Sequence, residues 1–185
     1  MVNPHLNLTI DEDLRQRVID FVYNEPSYFK NNPSGNGRKS CLLNKIDHQL
    51  SEEIRLFSKK CYESLGIFEY EDEPKFGNLI GVNKEGAFVH GHIDQGADDK
   101  YHVRLNFLIQ KPAAGGRPII NGVEYAIEEG GCWKNIASAW WHESSRVVGS
   151  KERIVLSLGA LVKDTIVSRQ LLADDISTPQ RETGV

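Results

Sequence analysis

The sequence predicts a mainly β fold with flanking α-helices, a sandwich or barrel arranged as a single domain over residues 1–185. Three observations predict it. From Phe76 onward the chain breaks into short alternating or apolar runs separated by Gly, Asn, Asp and Pro, with no helical period between them. Upstream, two stretches carry apolar residues at helical spacing instead. A chain of 185 residues can also bury one sizeable core without disulfides or a structural metal.

In chain order, the first helix spans 11–23. Its acidic start "DED" suits the positive end of a helix dipole, and Leu14, Val18, Phe21 and Val22 form the apolar stripe. The following 24–40 segment, "NEPSYFKNNPSGNGRKS", is too rich in Asn, Pro and Gly to sustain either period and reads as a long loop or lid. Its "GNGRKS" has the wrong spacing for a phosphate-binding loop, and no strand precedes it. A second helix spans 51–65 on Ile54, Phe57, Cys61 and Leu65, with Gly66 placed to cap it. The organisation expected is a helical N-terminal part, 1–75, a strand core, 76–165, and a loose polar tail, 174–185.

Eight strands are expected in the core: "NLIGV", "AFVHGHID", "HVRLNFLIQ", "RPII", "VEYAI", "CWKNI", "AWWHES" and "RIVLSLGALV". Asn121-Gly122 joins the fourth to the fifth, because a two-residue type I′ turn needs positive φ at both central positions. "AAGG" and "EEGG" are further corners.

A net charge of −4 argues against a chain whose work is gripping nucleic acid or an anionic membrane, which requires clustered Lys and Arg. Cys41, Cys61 and Cys132 are odd in number and form no CxxC pair, so they read as reduced thiols rather than a disulfide framework or zinc ribbon. The opening "MVNPHLNLTIDEDL" has neither a basic nor an apolar leader region, and no apolar run approaches membrane-spanning length. The expected location is therefore cytoplasmic.

The chemistry concentrates in "AFVHGHIDQG". In a strand, His90, His92 and Asp94 share one face, opposite Val89, Gly91 and Ile93. His142 stands on a distant strand that a rolled sheet can bring to them. Two imidazoles and one carboxylate with open positions remaining is the donor set that selects non-haem Fe(II) for oxygen chemistry. A three-His site on His90, His92 and His142, of the cupin metalloenzyme kind, is the rival; otherwise His90 only lines the pocket. Of Trp140 and Trp141, one is expected in the core and one at the surface.

"HID" at 92–94, "GG" at 115–116 ahead of a short strand, "WWHES" around His142 and "RIVLSL" from Arg153 together resemble the Fe(II)- and 2-oxoglutarate-dependent dioxygenases, nearest to the prolyl-hydroxylase-like branch. The resemblance covers roughly residues 76–163. It implies a double-stranded β-helix, a cupin-like jelly roll, in which His92, Asp94 and His142 hold the iron and carry the catalysis. Arg153, eleven residues past His142, then pairs with the remote carboxylate of 2-oxoglutarate, and dioxygen takes an open position on the metal. A guanidinium fork suits that carboxylate through parallel charge-assisted hydrogen bonds. Some branches carry a Ser two positions after this Arg, where Val155 stands here, and Ser157 lies one pair further along.

On "HVRLNFLIQ", His102, Arg104 and Asn106 share a face; Arg104 and Asn106 are expected inside, near the cosubstrate, while His102 divides evenly between interior and solvent. The implied activity is hydroxylation of an unactivated carbon on an amino acid, a peptidyl side chain or a small metabolite, with release of succinate and CO2. Related halogenases lack the carboxylate that Asp94 provides, which favours hydroxylation. A non-catalytic jelly-roll binding module is the remaining alternative.

Overall fold

The structure, a computed structural model, describes residues 2–32 and 37–172. Its elements begin with β1 (His5–Thr9), α1 (Glu12–Asn24), β2 (Lys30–Asn31), β3 (Arg38–Leu42), α2 (Gln49–Ser64), β4 (Glu71–Asp72) and β5 (Leu79–Asn83). They continue with β6 (Lys100–Gln110), β7 (Ala114–Gly115), β8 (Pro118–Ile120), β9 (Val123–Glu124) and β10 (Gly131–Ile136). The last are β11 (His142–Ser144), β12 (Val147–Val148), β13 (Arg153–Lys163) and α3 (Asp164–Gln170).

Alternation along β6 and β13 decides the architecture. Val103, Leu105 and Phe107 of β6, with Ile154, Leu156 and Leu158 of β13, are fully buried on one face, where α1 and α2 cover the sheet. The ring of Phe57 on α2 lies 5.1 Å from that of Phe107, and the Tyr62 hydroxyl donates to the carbonyls of Val103 and Leu158. The opposite face of the same strands carries Arg104, Asn106, Arg153 and Ser157 and looks into the molecule.

This major sheet runs β1-β10-β6-β13-β5-β3-β2, with β4 also paired to β13, and every pairing is antiparallel. Two short ladders, β11-β8-β9 and β12-β7, form the minor layer across from it. The result is the mainly β, antiparallel jelly roll with helices outside that the sequence predicts. Asn121 and Gly122 have φ of 49° and 81°, as the type I′ turn between β8 and β9 demands.

Both predicted helices form, with shifted ends. Asp11 caps α1 by accepting from the Leu14 amide at 2.8 Å, and Leu14, Val18, Phe21 and Val22 are its buried face. α2 starts two residues earlier than expected because His48 Nδ1 accepts from the Leu50 amide. It ends as expected at Gly66, φ +73°, where the Gly66 amide donates to Glu63 and the Ile67 amide to Tyr62, a Schellman closure.

Other expectations change. The stretch 1–75, read as helical, also supplies β1 to β4. Within and just beyond the 24–40 loop, β2 and β3 pair antiparallel, and β3 pairs in turn with β5. The sequence hides β3 because its inward residues Arg38 and Ser40 are polar, so no apolar alternation marks it. α3 was not expected; it extends past residue 165 and buries Val167. Residues 33–36 of the loop and the tail expected over 174–185 lie outside the described residues.

The segment 87–94 is not a regular strand either. It runs beside β11 and β12 through bonds from Val147 to Ala87, from Ser144 to Val89 and from Asp94 to Ala137, around a single reciprocal bridge between His92 and His142. The partners advance by unequal steps, so no continuous ladder forms. Gly91 marks the irregularity: a Cβ there would stand 2.5 Å from the indole of Trp141. All three cysteines are buried and free. No helix among the described residues is long and apolar enough to cross a membrane.

Candidate metal centre and its cavity

His92 and His142 exchange both backbone hydrogen bonds, at 3.1 and 3.0 Å, and residues paired in this way direct their side chains to the same face. Their rings lie 4.3 Å apart. Each imidazole donates its Nδ1–H to the carbonyl two residues earlier, His92 to His90 at 2.7 Å and His142 to Trp140 at 3.0 Å. That bond sets the tautomer and leaves both Nε2 atoms as acceptors, the state a metal ligand needs.

Asp94, two residues beyond His92, completes the group. The candidate ligand atoms of His92, Asp94 and His142 all lie within 4.8 Å of one another. Asp94 Oδ1 is 3.4 Å from His92 Nε2; its Oδ2 is 3.4 Å from His102 Nδ1 and 3.9 Å from Arg104 Nε. Burial pushes the carboxyl up, but the His92 contact and the charges of His102, Arg104 and His142 prevail and hold it at about 2. Asp94 in turn raises His92, whereas burial lowers His142. His102, left open between solvent and interior by the sequence, is 2% exposed, and burial with Arg104 nearby pushes it down to about 4.

Arg104 is buried behind Asp94. Its Nη1 donates to Ser157 Oγ at 3.0 Å and Gly77 O at 3.3 Å, and its Nη2 to Glu73 Oε2 at 3.3 Å. Glu73 itself accepts from the amides of Lys75, Phe76 and Gly77. Burial raises this carboxyl, but those three amides and Arg104 bring it below the usual carboxylate value. Arg104 therefore stands beside the acid of the triad, and the Ser157 hydroxyl is turned toward Arg104.

A cavity of about 440 Å³ separates the two layers in front of the triad. Asn106, Trp133, Val155 and Arg153 line its major-sheet wall, and Val89, Ile120, His90 and the triad line the other. Arg153 is 6% exposed, its guanidinium lies over the Trp133 ring, and its Nε has no partner among the described residues. The "GG" corner makes room for it: a Cβ on Gly116 would stand 2.8 Å from Arg153 Cδ. Burial, and then Arg38, push the Arg153 guanidinium down to about 10. A buried donor of this kind fits an incoming carboxylate, and the His, Asp, His donor set fits a non-haem Fe(II) ion.

His90 is exposed, sits 4.4 Å from the Phe88 ring and lies outside the three-residue group. Trp140 is buried and Trp141 half exposed. Sequence reasoning missed Glu73, which only a demand for a counter-ion to a buried Arg104 signals. It also missed Arg38 and Asn83, whose inward direction follows from strand pairing rather than local pattern.

Compared with protein-family models and with curated proteins, the chain matches none. Solved structures do share its fold. A Pseudomonas putida prolyl-4-hydroxylase superposes with a TM-score of 0.59 at 17% identity, over 86% of this chain and 91% of that one. The viral collagen prolyl hydroxylase of Paramecium bursaria Chlorella virus-1, in complex with 2OG, gives 0.61 at 13% identity over 83% and 91%. A Trichoplax adhaerens prolyl hydroxylase bound to a hypoxia-inducible-factor peptide fragment gives 0.63 at 16% over 87% and 83%. At such identities the property in common is the jelly roll of these 2OG-Fe(II) oxygenases.

Proposed function

We propose that the chain is an Fe(II)- and 2-oxoglutarate-dependent oxygenase that hydroxylates a carbon of an amino acid, a peptidyl side chain or a small metabolite. One observation carries this reading: a His, Asp, His group and a buried guanidinium with an unpartnered Nε share one cavity. His92, Asp94 and His142 would hold Fe(II), and Arg153 would take the remote carboxylate of 2-oxoglutarate. When bound, metal and cosubstrate supply the oxidising chemistry, inserting oxygen from dioxygen and releasing succinate and CO2.

The chain's own contribution is placement. In their neutral form His92 and His142 present Nε2 as the acceptor, because backbone carbonyls hold the ring proton at Nδ1. Asp94 stays anionic, with its second oxygen steadied by His102 and Arg104. Val89, Ile120 and Val155 give the cavity an apolar lining beside the site. The three-His alternative loses support because His90 stands outside the group. The buried, unpaired thiols favour a reducing, cytoplasmic setting.

The test is binding rather than turnover. Anaerobic protein is loaded with Fe(II), and 2-oxoglutarate is titrated against the weak metal-to-ligand charge-transfer absorption. Asp94→Ala should lose the metal. Arg153→Ala should keep it and weaken 2-oxoglutarate by about 30-fold to 1,000-fold, since the remote carboxylate is left without its buried partner. Tightly held zinc, with no absorption on adding 2-oxoglutarate, would overturn the assignment.

A further inference from the structure

Along β5, Leu79, Gly81 and Asn83 face the cavity, while Ile80 and Val82 are buried on the other face. Asn83 ends that row, directly opposite Arg153 on β13. Residues so paired direct their side chains to one face, and both line the cavity. Asn83 is 5% exposed, and its Nδ2 has no partner among the described residues. Arg153 Nε is in the same condition. Two adjacent strands thus bring two buried, unpartnered donors to one wall of the cavity.

Burying an amide N–H without an acceptor is costly, and an apolar residue at the end of β5 would avoid that cost. The position makes sense if an acceptor arrives from outside the chain. The acids that line the cavity, Asp94 and Glu143, both stand on the minor-layer side, across from β5 and β13. Glu152, next to Arg153 in the chain, lies 3.9 Å from Lys84. Further along the cavity face of β13, Val155 has no donor to offer, and Ser157 Oγ accepts from Arg104 at 3.0 Å. Asn83 is therefore the donor that β5 sets beside Arg153.

We propose that Asn83 donates to the same carboxylate as Arg153, so that the remote carboxylate of 2-oxoglutarate is held by a guanidinium from β13 and a carboxamide from β5. This rests on the oxygenase reading above and adds to it a residue which that reading left idle. An ionised carboxylate offers about four lone-pair positions, of which a guanidinium fork takes two. A neutral amide fills another without adding charge to the wall. Paired residues on adjacent antiparallel strands hold their α-carbons about 4.5–5.5 Å apart, so a group bound at one is within reach of the other.

Anaerobic Fe(II) protein is titrated with 2-oxoglutarate and with 2-oxopentanoate, which keeps the chelating end and the chain length but ends in a methyl group. Charge-transfer absorption reads both, and the wild-type protein should favour 2-oxoglutarate. Asn83→Leu should weaken 2-oxoglutarate by about 5-fold to 50-fold while 2-oxopentanoate shifts less than about twofold, since only the former carries the group the amide meets. Asn83→Asp should weaken 2-oxoglutarate further, because two carboxylates then face each other. Asn83→Ala removes the amide without adding bulk and repeats the test should leucine distort the wall, with Fe(II) uptake confirming the fold of each variant. Affinity for 2-oxoglutarate within about twofold of wild type in both the Leu and the Ala variants overturns the inference. So does a parallel loss of both keto acids, which would make Asn83 a shaper of the cavity rather than a partner of the remote carboxylate. A wild-type protein that binds both keto acids alike removes the assignment of Arg153 and this inference with it. One that takes up neither removes the oxygenase reading itself, a result distinct from the others.

Discussion

Replacing Arg104 with Met tests whether the Glu73–Arg104 pair supports the floor of the site. The variant keeps an unbranched stem and removes donors to Ser157, Gly77 and Glu73 at 3.0, 3.3 and 3.3 Å. Hydrogen bonds to a charged group contribute about 1.5–3 kcal/mol each, and the two long ones belong at the bottom of that range. Breaking a buried pair from one side costs about 3–5 kcal/mol when the survivor is stranded. Glu73 is not stranded, since three amides still donate to it at 2.7–3.0 Å. Because Met also removes the cost of burying a guanidinium, the net loss falls below the sum of the three bonds, to about 2–4 kcal/mol, equivalent to about 5–15 °C in melting temperature for a chain of this size. Urea unfolding of the metal-free protein at pH 7 measures it, with an unchanged m-value showing that stability alone has moved. Glu73→Gln and the double variant complete a cycle whose coupling should reach at least about 1 kcal/mol. A single-variant loss under 1 kcal/mol, or additivity across the cycle, would refute the reasoning.

Two further outcomes are expected. Unfolded, His102 takes up a proton near its ordinary value of 6.5, whereas in the folded chain it does so only near 4. Between those values the unfolded state holds more protons, so metal-free stability is complete above about pH 6.5 and falls toward pH 4, by up to about 3 kcal/mol. His142 acts in the same direction, and His92, raised by Asp94, opposes it. Urea midpoints at pH 7.5, 5.5 and 4.5 should show the decline and His102→Asn should flatten it; a wild-type profile without slope would refute it. At the β8–β9 turn, Gly122→Ala meets no neighbour within 4 Å but inherits a φ of +81°, so strain alone should cost about 1–2 kcal/mol in a thermal melt. A neutral result would mean that the turn relaxes.

Legibility in the sequence followed burial. The strands β5, β6, β10 and β13 were legible because one face of each packs under the helices and writes an apolar period into the chain. β3 was not, since its inward face is the polar wall of the cavity. α3, with seven residues and three β-branched positions in "DTIVSRQ", offers too little length for a period to register. His92, Asp94 and His142 were legible because their types are costly on a strand without a purpose. The regular strand expected around them was not formed, because Gly91 gives way to Trp141 there. Arg38 was invisible for a different reason: only its pairing with Asn83 turns it inward, and pairing partners are not written locally.

All three side chains of the triad leave the minor layer, while Arg153 leaves the major sheet. A metal ion alone would therefore stiffen one layer, pinning the 87–94 segment to β11. A molecule that touched both the metal and Arg153 would act as a strut between layers. Its arrival should be felt mechanically in β5 and β13, as slowed amide hydrogen exchange that metal by itself does not produce. The jelly roll then behaves as two plates whose separation is set by what lies between them.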